Sequence, residues 1–176
     1  ADFNSEGKKY WKYGGDFSSS NYHNDTNFCM NGLINSDRTF HPAMEEIKKV
    51  YQDISFSLEN SDGPIHLKVK NQYFFTNLKD FYFKYELLKD GKVVKSGDFG
   101  INLKPQQSKI INIPLIEYLN SENYKIKNTS DYYLNVYAFL INDKNLVSSG
   151  HMMAKEQMEI HKSKINYIIS DSPKLI

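Results

Sequence analysis

A cysteine, a methionine and two asparagines surround a glycine in the stretch NFCMNGL, residues 27–33. A catalytic cysteine needs a histidine base within hydrogen-bond reach and surroundings that lower the thiol pKa. His23 and His41 are near in sequence, but sequence proximity does not place an imidazole on the sulfur. Because Cys29 lies between two bulky apolar residues, we predict a small buried hydrophobic residue rather than a nucleophile.

The residue spacing supports neither a transition-metal centre nor a pair of catalytic carboxylates. The 5 histidines show no H-x-x-x-H motif and no Cys-His spacing, so each is predicted to be a surface or capping residue. Glycoside hydrolysis needs two carboxylates held about 5 Å or more apart. Glu45 and Glu46 instead share a predicted helix with Lys48 and Lys49, which is typical of a solvated face. We therefore expect no catalysis by this chain alone.

Aromatic residues are dense near the N-terminus, where they could stack on sugar rings or form core contacts for a loop-rich region. They are Tyr10, Trp11, Tyr13, Phe17 and Tyr22. Core contact is the favoured interpretation, because aromatic side chains dominate burial. A free-standing carbohydrate-binding or interaction β-sandwich module stays open as an alternative function.

The composition limits the class of protein. The 176 residues are 40% hydrophobic and 14% aromatic, which supports a packed core. The 22 basic and 21 acidic side chains nearly cancel and form no long basic run, so we expect no nucleic-acid partner. No apolar stretch approaches the roughly 18 residues of a membrane span. The 1 cysteine excludes an internal disulfide and leaves the redox compartment undecided.

The first part of the chain is predicted to form a long loop region followed by one helix. Residues 1–41 lack a sustained hydrophobic period and are rich in Gly, Ser, Asn and Asp. Pro42 suits a first helical turn, and Met44 and Ile47 then recur at helical spacing. The spacing predicts a short helix over about 42–51.

From there to about residue 161 the hydrophobic period is two, which predicts β-strands. In IHLKVK, for example, Ile65, Leu67 and Val69 share one face. Asp90-Gly91 predicts a type I′ hairpin turn, because both central positions of that turn need positive φ. The seven predicted strands are VYQDISFSL, IHLKVK, FYFKYELL, KVVKSGDF, SKIINIPL, YYLNVYAFLI and SSGHMMAKEQMEI. Their number and spacing predict a two-sheet antiparallel sandwich.

The segments YWKYGGDF, ND, FCMNGL and DRTFHPA together resemble the end of the catalytic barrel in the large β-galactosidases of glycoside hydrolase family two. The family has a glycine where this chain has Ser18 and a proline where it has Phe40; both departures lie outside the family's ligand positions. Downstream, NQYFFTNLKDFYFKYELLKDGKVVKSG and YYLNVYAFLINDKNLVSSGHMMAKEQMEI resemble the family's next domain. The resemblance covers nearly the whole chain.

The resemblance implies an all-β fold: a seven-stranded antiparallel immunoglobulin-like β-sandwich, preceded by a loop-rich segment and one short helix from the end of a TIM barrel. Residues 1–52 would be the C-terminal remnant of the catalytic (β/α)8 barrel and residues 53–161 the sandwich. Residues 162–176 would be a linker and the start of the next β-domain. We expect an excised, non-catalytic segment of an enzyme that hydrolyses terminal β-D-galactosides with retention, with the catalytic glutamates outside these residues.

The resemblance also implies a cation site at the rim of the galactose pocket. The main-chain oxygen of Phe28 and the side-chain oxygen of Asn31 would bind sodium, and the Phe28 ring would lie near the substrate. Such oxygens suit a hard cation. We expect the parent enzyme to use Mg²⁺ and Na⁺, and the isolated segment to hold no cofactor.

The expected partners are the other parts of the parent chain: the catalytic barrel and the following β-domain. The parent enzyme is also expected to bind a β-galactoside and to form a homo-oligomer. No nucleic acid or membrane partner is expected. The sequence does not decide between the bacterial cytoplasm and periplasm.

Overall fold

The computed structural model describes residues 2–17, 23, 27, 32–59, 65–113, 115 and 129–163. The chain forms two compact units, Ala1–Tyr51 and Gln52–Ile176. Among the described residues, no helix is long and apolar enough to cross a membrane. The domain boundaries expected at residues 52 and 161 stay predictions.

The first unit contains short elements only. Strand β1 (Asp2–Phe3) pairs antiparallel with β2 (Lys9–Tyr10), a 3-10 turn covers Gly14–Phe17, and helix α1 runs over Ala43–Val50. The helix lies within the predicted range. The hairpin was not predicted, because two-residue strands are too short to show a hydrophobic period.

No described residue of this first unit is buried. In α1, Met44 and Ile47 are half-buried, whereas Val50 and the following Tyr51 are 77% and 79% exposed. A helix this short is marginal without an apolar surface to pack on. The described part of the unit therefore has no hydrophobic core of its own.

The second unit is a two-sheet sandwich of antiparallel strands, which confirms the predicted fold class. One sheet has the strand order β3-β4-β7 and the other β6-β5-β8-β9. The strands are β3 (Ile54–Glu59), β4 (His66–Asn71), β5 (Phe81–Lys89), β6 (Lys92–Phe99), β7 (Ser108–Asn112), β8 (Tyr132–Leu140) and β9 (Met152–His161).

The core lies between the two sheets and follows the predicted alternation. Every second side chain is buried along β8 and from Phe81 to Leu87 of β5, and Leu67 and Val69 of β4 are buried from the other sheet. The β5–β6 turn has positive φ at Asp90 (48°) and Gly91 (78°), and Lys89 pairs with Lys92. This confirms the predicted type I′ hairpin.

The chain enters and leaves the sandwich at opposite ends. We call the end where β3 begins the proximal end: Ile54 pairs there with Asn71, and loops 72–80, 100–107 and 141–151 lie there. At the other, distal end, β9 finishes at His161 opposite Tyr132.

The chain is anchored where it leaves the distal end. The carboxylate of Asp131 accepts hydrogen bonds from the backbone N–H and the hydroxyl of Ser163, both at 2.7 Å. These bonds stabilise the charged carboxylate and lower the pKa of Asp131 below its ordinary value.

We predict that Gly97→Ala destabilises the sandwich. Gly97 lies opposite the buried Tyr85, and an added Cβ would lie 2.5 Å from Oη and 2.7 Å from Cζ of that ring. Forcing a buried ring aside costs about 1–3 kcal/mol. Urea unfolding of the 176-residue chain measures the loss, with Gly100→Ala as the matched control because a Cβ there meets nothing within 4 Å. Equal unfolding free energies for the two variants would contradict the prediction.

Candidate functional site

The residues predicted to form the cation site lie outside the described part of the chain. They are Phe28 and Asn31, with Cys29 between them. Their roles therefore stay predictions. The structure describes the turn that follows them, residues 33–41.

Residues 33–41, which follow the 28–31 segment, form a short antiparallel turn. The N–H of His41 donates to the carbonyl of Leu33 at 3.0 Å, and the N–H of Asn35 donates to the carbonyl of Thr39 at 2.8 Å. The Asn35 side chain donates to the Thr39 hydroxyl at 2.9 Å and bonds to Nε2 of His41. The backbone and side-chain bonds together hold the two arms of the turn in register.

Asp37 stabilises the tip of the same turn. Its carboxylate accepts from the N–H of Thr39 at 3.0 Å and from the Thr39 hydroxyl at 2.6 Å. These two bonds lower the pKa of Asp37 below its ordinary value, and Lys9 of β2 adds an ion pair at 3.5 Å. Beside it, Arg38 has a φ of 68°, which non-glycine residues adopt rarely.

Sequence reasoning missed this hydrogen-bonded turn, although a signal was present. Asn, Ser and Asp favour turns because their short side chains bond to backbone N–H groups two residues on. The stretch INSDRTF carries that signal twice, at Asn35 and Asp37. The hydrogen bonds of this turn position its backbone.

The other candidate carboxylates form no acid–base pair in the described structure. Glu45 and Glu46 lie exposed in the first turn of α1, as predicted for a solvated face. No group of three or more His, Cys, Asp or Glu within the described residues is arranged to hold a metal ion.

A polar cluster lies on the outer face of the four-stranded sheet. Lys84 pairs with Glu86 at 2.7 Å, and the hydroxyl of Tyr137 donates to Glu86 at 3.1 Å. Lys84 first and Tyr137 next lower the pKa of Glu86, so this carboxylate is held in its charged form. We assign these three residues a structural part in the β5–β8 pairing.

The aromatic residues near the N-terminus are not packed in a core. Tyr10, Trp11 and Tyr13 are each between 40% and 48% exposed, and the ammonium of Lys9 lies 4.7 Å from the Trp11 ring centre. The core contact expected for these three is therefore absent from the described structure. The reason is that the described part of the first unit offers no buried surface to cover them.

Comparison with known families gives two matches that follow one another along the chain. Residues 2–56 match the family described as "Glycosyl hydrolases family 2, TIM barrel domain". Residues 67–161 match the family described as "Beta-galactosidase, domain 4".

Curated relatives with the name "Beta-galactosidase" match most of this chain. The protein of Alteromonas mediterranea is 32% identical over 154 residues, 88% of this chain and 14% of its own length. That of Pseudoalteromonas haloplanktis is 31% identical over 162 residues, 89% of this chain and 15% of its own. That of Psychromonas ingrahamii is 32% identical over 174 residues, 96% and 16% respectively. The chain thus spans about a seventh of the length of these relatives.

We predict that Asp37→Ala opens the 33–41 turn. The variant removes the carboxylate that accepts both hydrogen bonds from Thr39. The backbone at Arg38 can then reach an extended, cleavable conformation more often. Arg38 is the chain's one arginine, and an arginine-specific protease therefore cuts only there. We expect severalfold faster cleavage.

Asp16→Ala is the matched control for the protease experiment. The Asp16 carboxylate accepts from the N–H of Tyr13 at 3.2 Å, so the control also loses an Asp–backbone bond, but in a different turn. Equal cleavage rates in the two variants would show that Asp37 does not hold the turn closed.

Proposed function

Since this chain belongs to the β-galactosidases of glycoside hydrolase family two, we propose that it serves as a non-catalytic segment of such an enzyme. The parent would hydrolyse terminal β-D-galactosides with retention, using two glutamates that lie in barrel segments outside residues 1–176. The sandwich would link the catalytic barrel to the next β-domain and space them apart.

One observation carries this proposal: the barrel match and the domain-4 match occur in the same chain and in that order. The architecture supports a spacing role. The chain enters the sandwich at Ile54 and leaves it beyond His161, at the opposite end. Domains attached at these two points would be separated by the length of the strands.

The first unit supports the barrel part of the proposal. None of its described residues is buried, yet it contains a helix with an apolar side and a cluster of half-exposed aromatic residues. A segment with this composition needs surfaces supplied by other parts of a protein. The remainder of a catalytic barrel would supply them.

A cation site at residues 28–31 is part of the proposal. The donor chemistry fits sodium, because the Phe28 carbonyl and the Asn31 amide both offer neutral oxygens to a hard ion. A bound cation would supply an electrostatic contact to a sugar hydroxyl at the pocket rim. The 33–41 turn would hold the end of this loop in place. Mg²⁺, expected in the parent, would be bound by residues outside this chain.

The primary test compares hydrolysis of a chromogenic β-galactoside by the 176-residue chain and by the full-length parent, both in sodium buffer. We expect turnover by the parent alone, because the described residues of this chain hold no acid–base pair. Turnover by the short chain would overturn the non-catalytic assignment. A parent without β-galactosidase activity would overturn the function.

The sodium site is tested by Asn31→Ala in the full-length parent, read as the rise of the melting temperature with sodium at constant ionic strength. A cation that binds only the folded state raises the free energy of unfolding by RT ln(1 + [Na⁺]/Kd), so the melting temperature begins to rise once the sodium concentration exceeds Kd. We expect the sodium concentration at which the melting temperature begins to rise to increase by about tenfold or more, since even an outer partner of a metal site is worth that much. Asn27→Ala is the control, because Asn27 is exposed and is not a proposed ligand. If the melting temperatures of the two variants depended identically on sodium concentration, Asn31 would be excluded as a ligand.

A further inference from the structure

Two adjacent phenylalanines project into solvent at the proximal end of the sandwich. Phe74 is 73% exposed and Phe75 97% exposed, and their ring centres lie 6.4 Å apart. Leu146, in the neighbouring loop 141–151, is fully exposed. A single exposed apolar side chain is ordinary, whereas large apolar groups gathered at one end of a domain mark an interaction surface.

The loop that carries the phenylalanines is held from inside the sandwich. Asn71 is completely buried, and its side-chain amide donates to the carbonyls of Thr76 at 2.9 Å and Leu103 at 3.0 Å. Its side-chain oxygen accepts from the N–H of Tyr73 at 3.0 Å. The residues before and after the two phenylalanines are therefore both hydrogen-bonded to the buried side chain of Asn71.

Further bonds tie the two neighbouring loops to the phenylalanine loop. The Gln106 amide donates to the carbonyls of Gln72 at 2.7 Å and Tyr73 at 3.1 Å. Lys144, two residues before Leu146, donates to the Thr76 hydroxyl at 3.1 Å. The residues that flank Phe74 and Phe75 are thus held by hydrogen bonds from the buried Asn71 and from the two neighbouring loops.

We propose that Phe74, Phe75 and Leu146 form the surface on which the part of the catalytic barrel outside this chain docks. The proximal end is where β3 begins, and the N–H of Gln72 donates to the carbonyl of Asp53 at 2.8 Å, one residue before that strand. The barrel-family match ends at residue 56, inside β3. A barrel body attached there reaches the proximal end first. This inference rests on the proposed function.

Two other candidates, the next β-domain and a second copy of the chain, fit this surface less well. The next β-domain would follow residue 163, and the chain leaves at the distal end, beyond His161. A second copy of the chain could cover the surface only through oligomer contacts that dissociate on dilution. The barrel body is covalently continuous with the strand beside the phenylalanine loop, so its local concentration there is high at any dilution.

Hydroxyl-radical footprinting of the full-length parent, read by mass spectrometry, tests the proposal. Val93 is the reference, because it is 53% exposed and lies next to the Asp90-Gly91 turn at the distal end. An uncovered Phe75, at 97% exposure, would oxidise faster than Val93 after correction for intrinsic reactivity. We expect the order to be reversed, with Phe75 and Phe74 both slower than Val93.

A dilution series separates the possible partners. Protection of Phe75 that persists after the oligomer has dissociated supports docking of the barrel within one chain. Protection that is lost on dissociation overturns the proposal and assigns the surface to a second copy. Unprotected Phe75 at every concentration also overturns it. A parent that protects Phe75 but hydrolyses no galactoside would refute the proposed function while leaving the docking surface intact.

The energetic test uses Phe75→Ser and the matched control Val93→Ser in the full-length parent. Substituting a fully exposed side chain changes stability little, so Phe75→Ser would melt like the wild type if Phe75 were uncovered, whereas the half-exposed Val93 shows the loss from a partly exposed position. Docking predicts a larger drop in melting temperature for Phe75→Ser than for Val93→Ser. A wild-type melting temperature for Phe75→Ser would overturn the proposal.

Discussion

The sandwich depends on the apolar stripe that β5 and β8 present to the opposite sheet. Their pairing over nine residues places Phe83 beside Ala138 and Leu87 beside Leu134, all of them fully buried. A large side chain next to a small one allows the stripe to interlock with the side chains of the facing sheet. The close approach of Gly97 to the Tyr85 ring extends the same packing to β6.

Asn71 connects this core to the surface where we place the interaction. A buried amide without partners would destabilise the fold, and Asn71 avoids that cost by bonding to three backbone groups of two different loops. The same bonds hold the phenylalanine loop in its exposed conformation. The buried side chain of Asn71 therefore both belongs to the core and fixes the loop at the proximal end.

The two units differ in how much of their stability the described residues supply. The sandwich has a continuous core, whereas the first unit is held by local hydrogen bonds, such as those of Asp37 and Asn35, and by its short hairpin. Local bonds can fix a turn, but they do not bury the aromatic residues around Trp11. This contrast is what a barrel end joined to an autonomous β-domain would show.

The sequence by itself determined the seven strands, the type I′ turn at Asp90-Gly91 and the position of α1, because each depends on a local period or on the φ preference of one or two residues. It also determined the family, through long motifs that lie partly in undescribed residues such as Phe28 and Asn31. Only the tertiary structure decided the division into three and four strands, the buried bonds of Asn71 and the exposure of Phe75. By its type, Phe75 is as apolar as the buried Phe83. Which of the two faces solvent depends on contacts between residues far apart in sequence, and no local pattern encodes those contacts.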